Sequence, residues 1–200
     1  LLSNDSRASI ERGLALFGAL IEEHPALRRE FEESRAVFRA GSLSLENAPA
    51  DVRRLADRRH QEWFLLERHS EALEGMPAEA LRELWEGRVE DADSSALESC
   101  LGSRAGIYEI TSVTEGSGLW VRDLLTRGEY PVEEPEAAAG LLAGDLIVGR
   151  LFPLANQAYG ISPAAGCFRS EGLREALTQD LTDARNARRG TPRISQQELE

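Results

Sequence analysis

The side chains able to hold a metal softly are few: His24, His60, His69, Cys100 and Cys167. His60 and His69 are nine apart, two and a half helical turns, so on one helix they face opposite sides. No HExxH, no CxxC and no His pair at i, i+4 is present, and no metal site is expected. The simpler expectation is buried thiols and solvated imidazoles. Nucleophilic catalysis has no better footing, since no GxSxG elbow occurs. A catalytic thiol needs an electropositive niche and a partnered imidazole. Cys167 sits in Ala164-Ala165-Gly166-Cys167-Phe168, with Arg169 as its nearby cation and no His downstream. Cys100, beside Leu97 and Leu101, reads as core. All 23 basic residues are Arg. Without Lys there is no Schiff-base chemistry and no Walker-type phosphate loop. Gly140 to Asp145 is followed by neither Lys nor a helix, so no cofactor is implied.

Carboxylates are abundant, and most read as solvated surface. Glu133, Glu134 and Glu136 flank Pro135 in a Pro-Ala stretch and read as a loop. Asp123 and Asp145 stand beside strands at turns, where a carboxylate can hold backbone N–H groups. Two arginine groups, Arg53, Arg54, Arg58 and Arg59, then Arg185, Arg188, Arg189 and Arg193, are the best signal for phosphate contact. Asp51, Asp57 and Glu62 lie within ion-pair reach of the first group, which favours a solvated, self-neutralised face. In the β-rich region the candidate contact residues are Trp120, Arg122, Tyr130 and Arg150. The two aromatics could stack on a ligand and the arginines could hold its polar groups.

These residues must be positioned by two kinds of element. Residues 1–104 read as helices. Ile10, Leu14, Phe17 and Ile21 repeat at helical spacing. Pro25 can open a second helix at its first position, carrying Leu27, Phe31 and Phe38 until Gly41-Ser42. Pro49 begins a third, through Val52, Leu55, Trp63 and Leu66 to about His69. A fourth runs from Pro77 to near Gly87, and a turn at Glu90–Ser94 caps a short fifth around Leu97 and Leu101. After Gly102 the rhythm changes to alternation. Strands are expected at Gly106–Val113, Leu119–Arg122, Glu129–Glu133, Leu146–Phe152 and Gln157–Ile161. Pro131 places the third at an edge or bulge. Pro135–Gly140 reads as a linker. Residues 170–189 return to helix, with Leu173, Leu177 and Leu181 at i, i+4, i+8, and Gly190–Glu200 is a polar tail.

The expected fold is therefore α+β. A helical region spans 1–104, a small five-stranded antiparallel OB-like barrel or sheet spans 105–169, and a C-terminal helix with its polar tail spans 170–200. Length supports this: 200 residues suit one large domain or two small ones. Apolar residues at 42% and charged residues at 29% are ordinary globular values. Net charge is −12, divided as −7 over 1–104, −4 over 105–169 and −1 over 170–200, so no segment is a basic module. An acidic chain repels phosphate backbones, which disfavours nucleic acid and anionic membranes as partners. Two distant cysteines, no apolar run of about twenty residues and no leader pattern point to a reducing cytoplasm. The missing initial Met suggests a partial chain.

Residues 60–154 resemble a family of uncharacterised bacterial proteins. The resemblance lies in a Trp-Phe helix (HQEWFLLER, 60–68), a strand GIYEITSV (106–113), the segment GLWVRDLLTRGEY (118–130) and LLAGDLIVGRLFPL (141–154). Arg-Asp-Leu-Leu-Thr followed by Gly-Asp-Leu is its most specific part. Some members carry a C-terminal SEC-C-type zinc motif. This chain has no paired cysteines there, so zinc is not carried over, and the resemblance implies no activity or catalytic residue.

With no nucleophile–base set, metal set or phosphate loop, the leading expectation is a non-enzymatic binding or scaffolding module with a protein partner or self-association. Single-stranded nucleic-acid binding through the β unit is the second. An enzyme using Asp145, Arg150 or Glu109 between helices and barrel is the third.

Overall fold

The computed structural model describes residues 3–40, 45–85, 89–133 and 140–187. The helix stop at Gly41-Ser42, the helix end near Gly87, most of the Pro135–Gly140 linker, the polar tail, and Arg188, Arg189 and Arg193 lie outside them. The fold is α+β, and the chain divides into two compact units, one of residues 8–102 and one of 1–7 with 103–200.

The first unit is helical. Helix α1 (Ser3–Glu23) buries Ile10, Leu14, Phe17 and Ile21, the stripe that its helical spacing dictates. Helix α2 (Pro25–Arg39) opens on Pro25, whose missing N–H would be unbonded there in any case. Helix α3 (Ala50–Leu66) is shorter than its apolar pattern suggests and buries only its second half, at Phe64, Leu65 and Leu66. Val52 and Leu55, expected on its inner stripe, are exposed. Helix α4 (Pro77–Trp85) packs Trp85 edge-on against Phe17 at 5.3 Å. Helix α5 is Asp91–Leu101, so the acidic run expected as a turn forms its first turn instead. Acids there face the positive end of the helix dipole, and Asp93 also pairs with Arg12.

The second unit is built on six strands: β1 (Arg104–Thr114), β2 (Gly118–Asp123), β3 (Glu129–Val132), β4 (Leu146–Pro153), β5 (Tyr159–Ile161) and β6 (Gly166–Phe168). Five close into a barrel in the order β1-β2-β3-β5-β4, with β4 pairing back to β1. The barrel is mixed and not wholly antiparallel. After β4 the chain turns back and lays β5 beside β3 in the same direction, so that Val132 meets Tyr159. The short strand β6 continues along the edge of β4 after β5, and it was too brief to give a sequence signal. Helix α6 (Glu171–Ala187) sets Leu181 against Leu124 and Leu125.

The barrel interior holds Tyr108, Ile110, Leu119, Val121, Val132, Ile147, Leu151 and Ile161, with Tyr130 and Tyr159 packed against them. A bulge at Thr111 resets the alternation, so Tyr108 and Ile110 point inward before it and Val113 after it. Aromatic rings lie over glycines two residues upstream. A Cβ on Gly106 would meet the Tyr108 ring at 2.7 Å, one on Gly128 the Tyr130 hydroxyl at 2.5 Å, and one on Gly166 the Phe168 ring at 2.9 Å. Gly118 is tighter still: a Cβ there would lie 2.1 Å from the Val132 carbonyl oxygen, at φ 149°.

Backbone cannot move aside as a flexible side chain can. Gly118→Ala is therefore expected to destabilise the barrel by about 3 kcal/mol, measured by hydrogen exchange of β2 and β3 amides. Gly116→Ala, in open space at φ 73°, should cost only about 1 kcal/mol.

Candidate functional site

The polar residues of the β unit divide into those that hold turns and those left at the surface. Asp123 is buried at the end of β2. Its Oδ1 accepts the amides of Leu125 (2.7 Å) and Thr126 (3.3 Å), and its Oδ2 accepts the Thr126 hydroxyl at 2.6 Å. Asp145, buried before β4, accepts the Leu142 amide at 2.8 Å. It also takes both prongs of Arg169, Nε at 2.8 Å and Nη2 at 2.7 Å. Arg169 in turn donates to the Gly140 carbonyl at 2.8 Å. This guanidinium holds the Asp145 carboxyl below the usual carboxylate range, against the opposing pull of burial. Glu109 accepts from Arg174 of α6 at 3.2 Å. Both aspartates thus do what their turn positions suggested. Around Asp145, Arg169 and Arg174 lies a hollow of about 260 Å³, in which the two arginines face Asp145, Glu109 and Glu171. The three acids outnumber the two arginines, so the net charge there is negative and repels an anion.

The four candidate contact residues are not brought to one surface. Trp120 and Arg122, two apart on β2, point outward; Trp120 is 47% exposed, and Arg122 is paired with Glu129 at 3.1 Å. Tyr130 lies opposite Val121 and turns inward, packing edge-on with Tyr108 and Tyr159 under the Arg104 guanidinium. It therefore cannot stack on a ligand beside Trp120. Arg150 is 2% exposed on β4 and donates to the Ser103 hydroxyl at 2.9 Å. Sequence alternation alone did not reveal the inward turn of Tyr130, and its glycine two residues upstream is no discriminator, because Trp120 follows Gly118 at the same spacing and points outward.

Trp120 does line a groove of about 290 Å³. Its walls are Thr114 and Ser117 from the β1–β2 turn, Gly118 to Trp120 of β2, Pro131 to Glu133 at the end of β3, and Asn156 and Ala158 from the β4–β5 turn. Pro131 sits directly across the ladder from Trp120. Glu133 accepts from the Asn156 amide at 2.8 Å, which fixes its carboxylate at the rim.

In the helical unit, Ser34 and His60 form a hydroxyl–imidazole pair at 2.9 Å. Both are buried, and the Ser34 hydroxyl donates to the Phe31 carbonyl at 2.8 Å, so it accepts from His60 rather than giving up its proton. This is the polarity opposite to an activated nucleophile. His60 is thus buried rather than solvated, and Cys167 is exposed rather than core, while Cys100 is buried as expected. Partial burial of the Cys167 thiol, then the Asp145 carboxylate, pushes it above the usual thiol value, away from reactivity. Of the first arginine group, Arg59 is forked onto Glu67 at 2.8 and 3.3 Å, and Arg58 approaches Glu11 at 3.9 Å. Glu30 accepts from Arg68, from the Ser70 hydroxyl (2.6 Å) and from the Glu71 and Ala72 amides. Burial alone would raise its pKa, but these donors together hold it below the usual value. Among the described residues no cluster of three His, Cys, Asp or Glu is placed to hold a metal ion. No described helix is long and apolar enough to cross a membrane.

Because the folded carboxyl of Asp145 is depressed, its stabilising contribution is present above the ordinary value of 3.8 and is lost as pH falls below it. Asp145→Asn should melt below the wild type at pH 7, and thermal melts should converge as the pH is lowered through 3.8 and beyond.

No family model matches this chain, and neither a curated protein nor a solved structure is significantly similar to it.

Proposed function

We propose that the chain is a non-enzymatic binding module whose β unit takes an extended segment of a partner protein along the outer face of β2 and β3. The carrying observation is the groove at Trp120, a large aromatic surface left open while Asp123 and Asp145 are tied into turns. Exposed indoles beside a concave wall are the residues that dominate binding energy when covered. The groove is formed by the β1–β2 turn, the β2–β3 face and the β4–β5 turn. By analogy of fold alone, that is where OB-like barrels hold elongated ligands.

The chemistry of the rim selects among elongated ligands. Arg122 is engaged by Glu129, and Glu133 stands at the edge with its carboxylate fixed. The β unit is acidic, as is the chain at net −12. A phosphate backbone is repelled by this rim, whereas a segment carrying proline and arginine suits it. Proline packs flat on an indole with little entropy to lose, and arginine meets the carboxylate.

The test uses labelled peptides of repeating Pro-Pro-Arg and Pro-Pro-Glu, and an oligo-dT of similar length, followed by fluorescence anisotropy on the full chain. The Pro-Pro-Arg peptide should bind, the other two should not, and Trp120→Ala should weaken binding at least tenfold, about 1.4 kcal/mol, while Val37→Ala should leave it unchanged. Failure of the basic peptide, indifference to Trp120→Ala, or preference for oligo-dT would each overturn the reading.

A further inference from the structure

His60 is 1% exposed, enclosed where α2 and α3 meet. Its ring stacks on Phe31 at 4.6 Å and lies against Phe38 at 5.4 Å, Trp63 at 6.2 Å and Phe64 at 6.5 Å. The Ser34 hydroxyl spends its proton on the Phe31 carbonyl, so the oxygen facing His60 can only accept. This fixes the neutral imidazole as the tautomer with its proton on Nε2. Nδ1 is buried with no hydrogen-bond partner. A second proton would have to go there, creating a buried cation whose new N–H has nothing to donate to.

The surrounding charges make this worse. Arg35 and Arg39 from α2 and Arg68 just beyond α3 all oppose a positive ring. Asp57 on α3 favours one, but it is already bonded to Arg39 at 3.0 Å. Arg68 itself sits over the Trp63 and Phe64 rings and is held there by Glu30.

We propose that the α2–α3 pair is an acid-sensitive element: it stays closed while His60 is neutral, and it opens to expose its aromatic face when the imidazole takes a second proton.

The direction follows from linkage. Burial first, and then the arginines, lower His60 from 6.5 to about 4 in the closed form. The open form therefore binds a proton that the closed form does not in the interval between those values. Closure is fully stable above 6.5 and weakens as the pH falls toward 4. Between pH 7.5 and pH 5 the open fraction should rise roughly 30-fold.

Hydrogen exchange of the full chain, corrected for the intrinsic rate at each pH, reads this directly. Amides of 25–39 and 50–66 should lose about 30-fold protection between pH 7.5 and 5, while those of β1 and β4 keep theirs. His60→Phe and His60→Gln, which cannot charge, should abolish the dependence; Gln can still donate to Ser34, so it serves if the Phe variant fails to fold. Unchanged protection in the wild type, or the same loss in the variants, overturns the proposal. So does an NMR titration of the wild type in which the His60 ring protonates at or above pH 6.5.

Discussion

The β unit depends on closing a barrel from strands of three to eleven residues, and closure at that size leaves no room for a side chain at certain inward positions. The solution repeats at Gly106-Ile107-Tyr108 and Gly128-Glu129-Tyr130: a glycine vacates space and the aromatic ring two residues later fills it. Each ring then covers backbone that a glycine would leave exposed to water, which offsets the intrinsic weakness of glycine in a strand. Tyr108 completes the arrangement by donating its hydroxyl to the Arg104 carbonyl at 2.7 Å, so its polar end is satisfied inside an apolar barrel. Burial pushes that phenol above its ordinary value, which keeps it a neutral donor.

The same constraint decides what remains for function. Tyrosines committed to the interior cannot contact a ligand outside. Trp120, on the other side of β2, has no glycine to cover; its neighbour Gly118 is occupied instead by the Val132 carbonyl. The indole is consequently left at the surface. Charge is treated likewise. An all-arginine basic set suits fork-like pairing with carboxylates, and Arg169 on Asp145 and Arg59 on Glu67 both use it. These pairs hold loops and helix ends in place, which removes them from the inventory of groups able to act on a substrate.

Much of this was legible in the chain because burial imposes periodicity. The stripe Ile10, Leu14, Phe17, Ile21 and the alternating pairs Tyr108/Ile110 and Leu119/Val121 marked the helical and β regions, since one face of each must be dry. Asp123 and Asp145 were readable because a carboxylate beside a strand end has backbone amides within reach. What failed was any inference from residue type alone. Val52 and Leu55 are apolar yet exposed, so apolar type and helical spacing did not place them inside. His60 was expected in solvent and lies among four rings, a matter of which helix faces it rather than of its own chemistry. Trp120 and Tyr130 looked alike in sequence, and only the pairing register, with Trp120 opposite Pro131 and Tyr130 opposite Val121, separates surface from core. The β3–β5 pairing, and with it the mixed character of the barrel, depends on residues about 27 apart and leaves no local trace.

Partner binding is proposed for the outer face of β2 and β3, at the groove beside Trp120. Amide chemical-shift mapping on addition of the Pro-Pro-Arg peptide tests it most directly. Shifts should be confined to the amides of residues 114, 117–120, 132, 133, 156 and 158, in the walls of the groove at Trp120. Shifts centred instead on Arg169 and Arg174, or on the helices of residues 8–102, would contradict it.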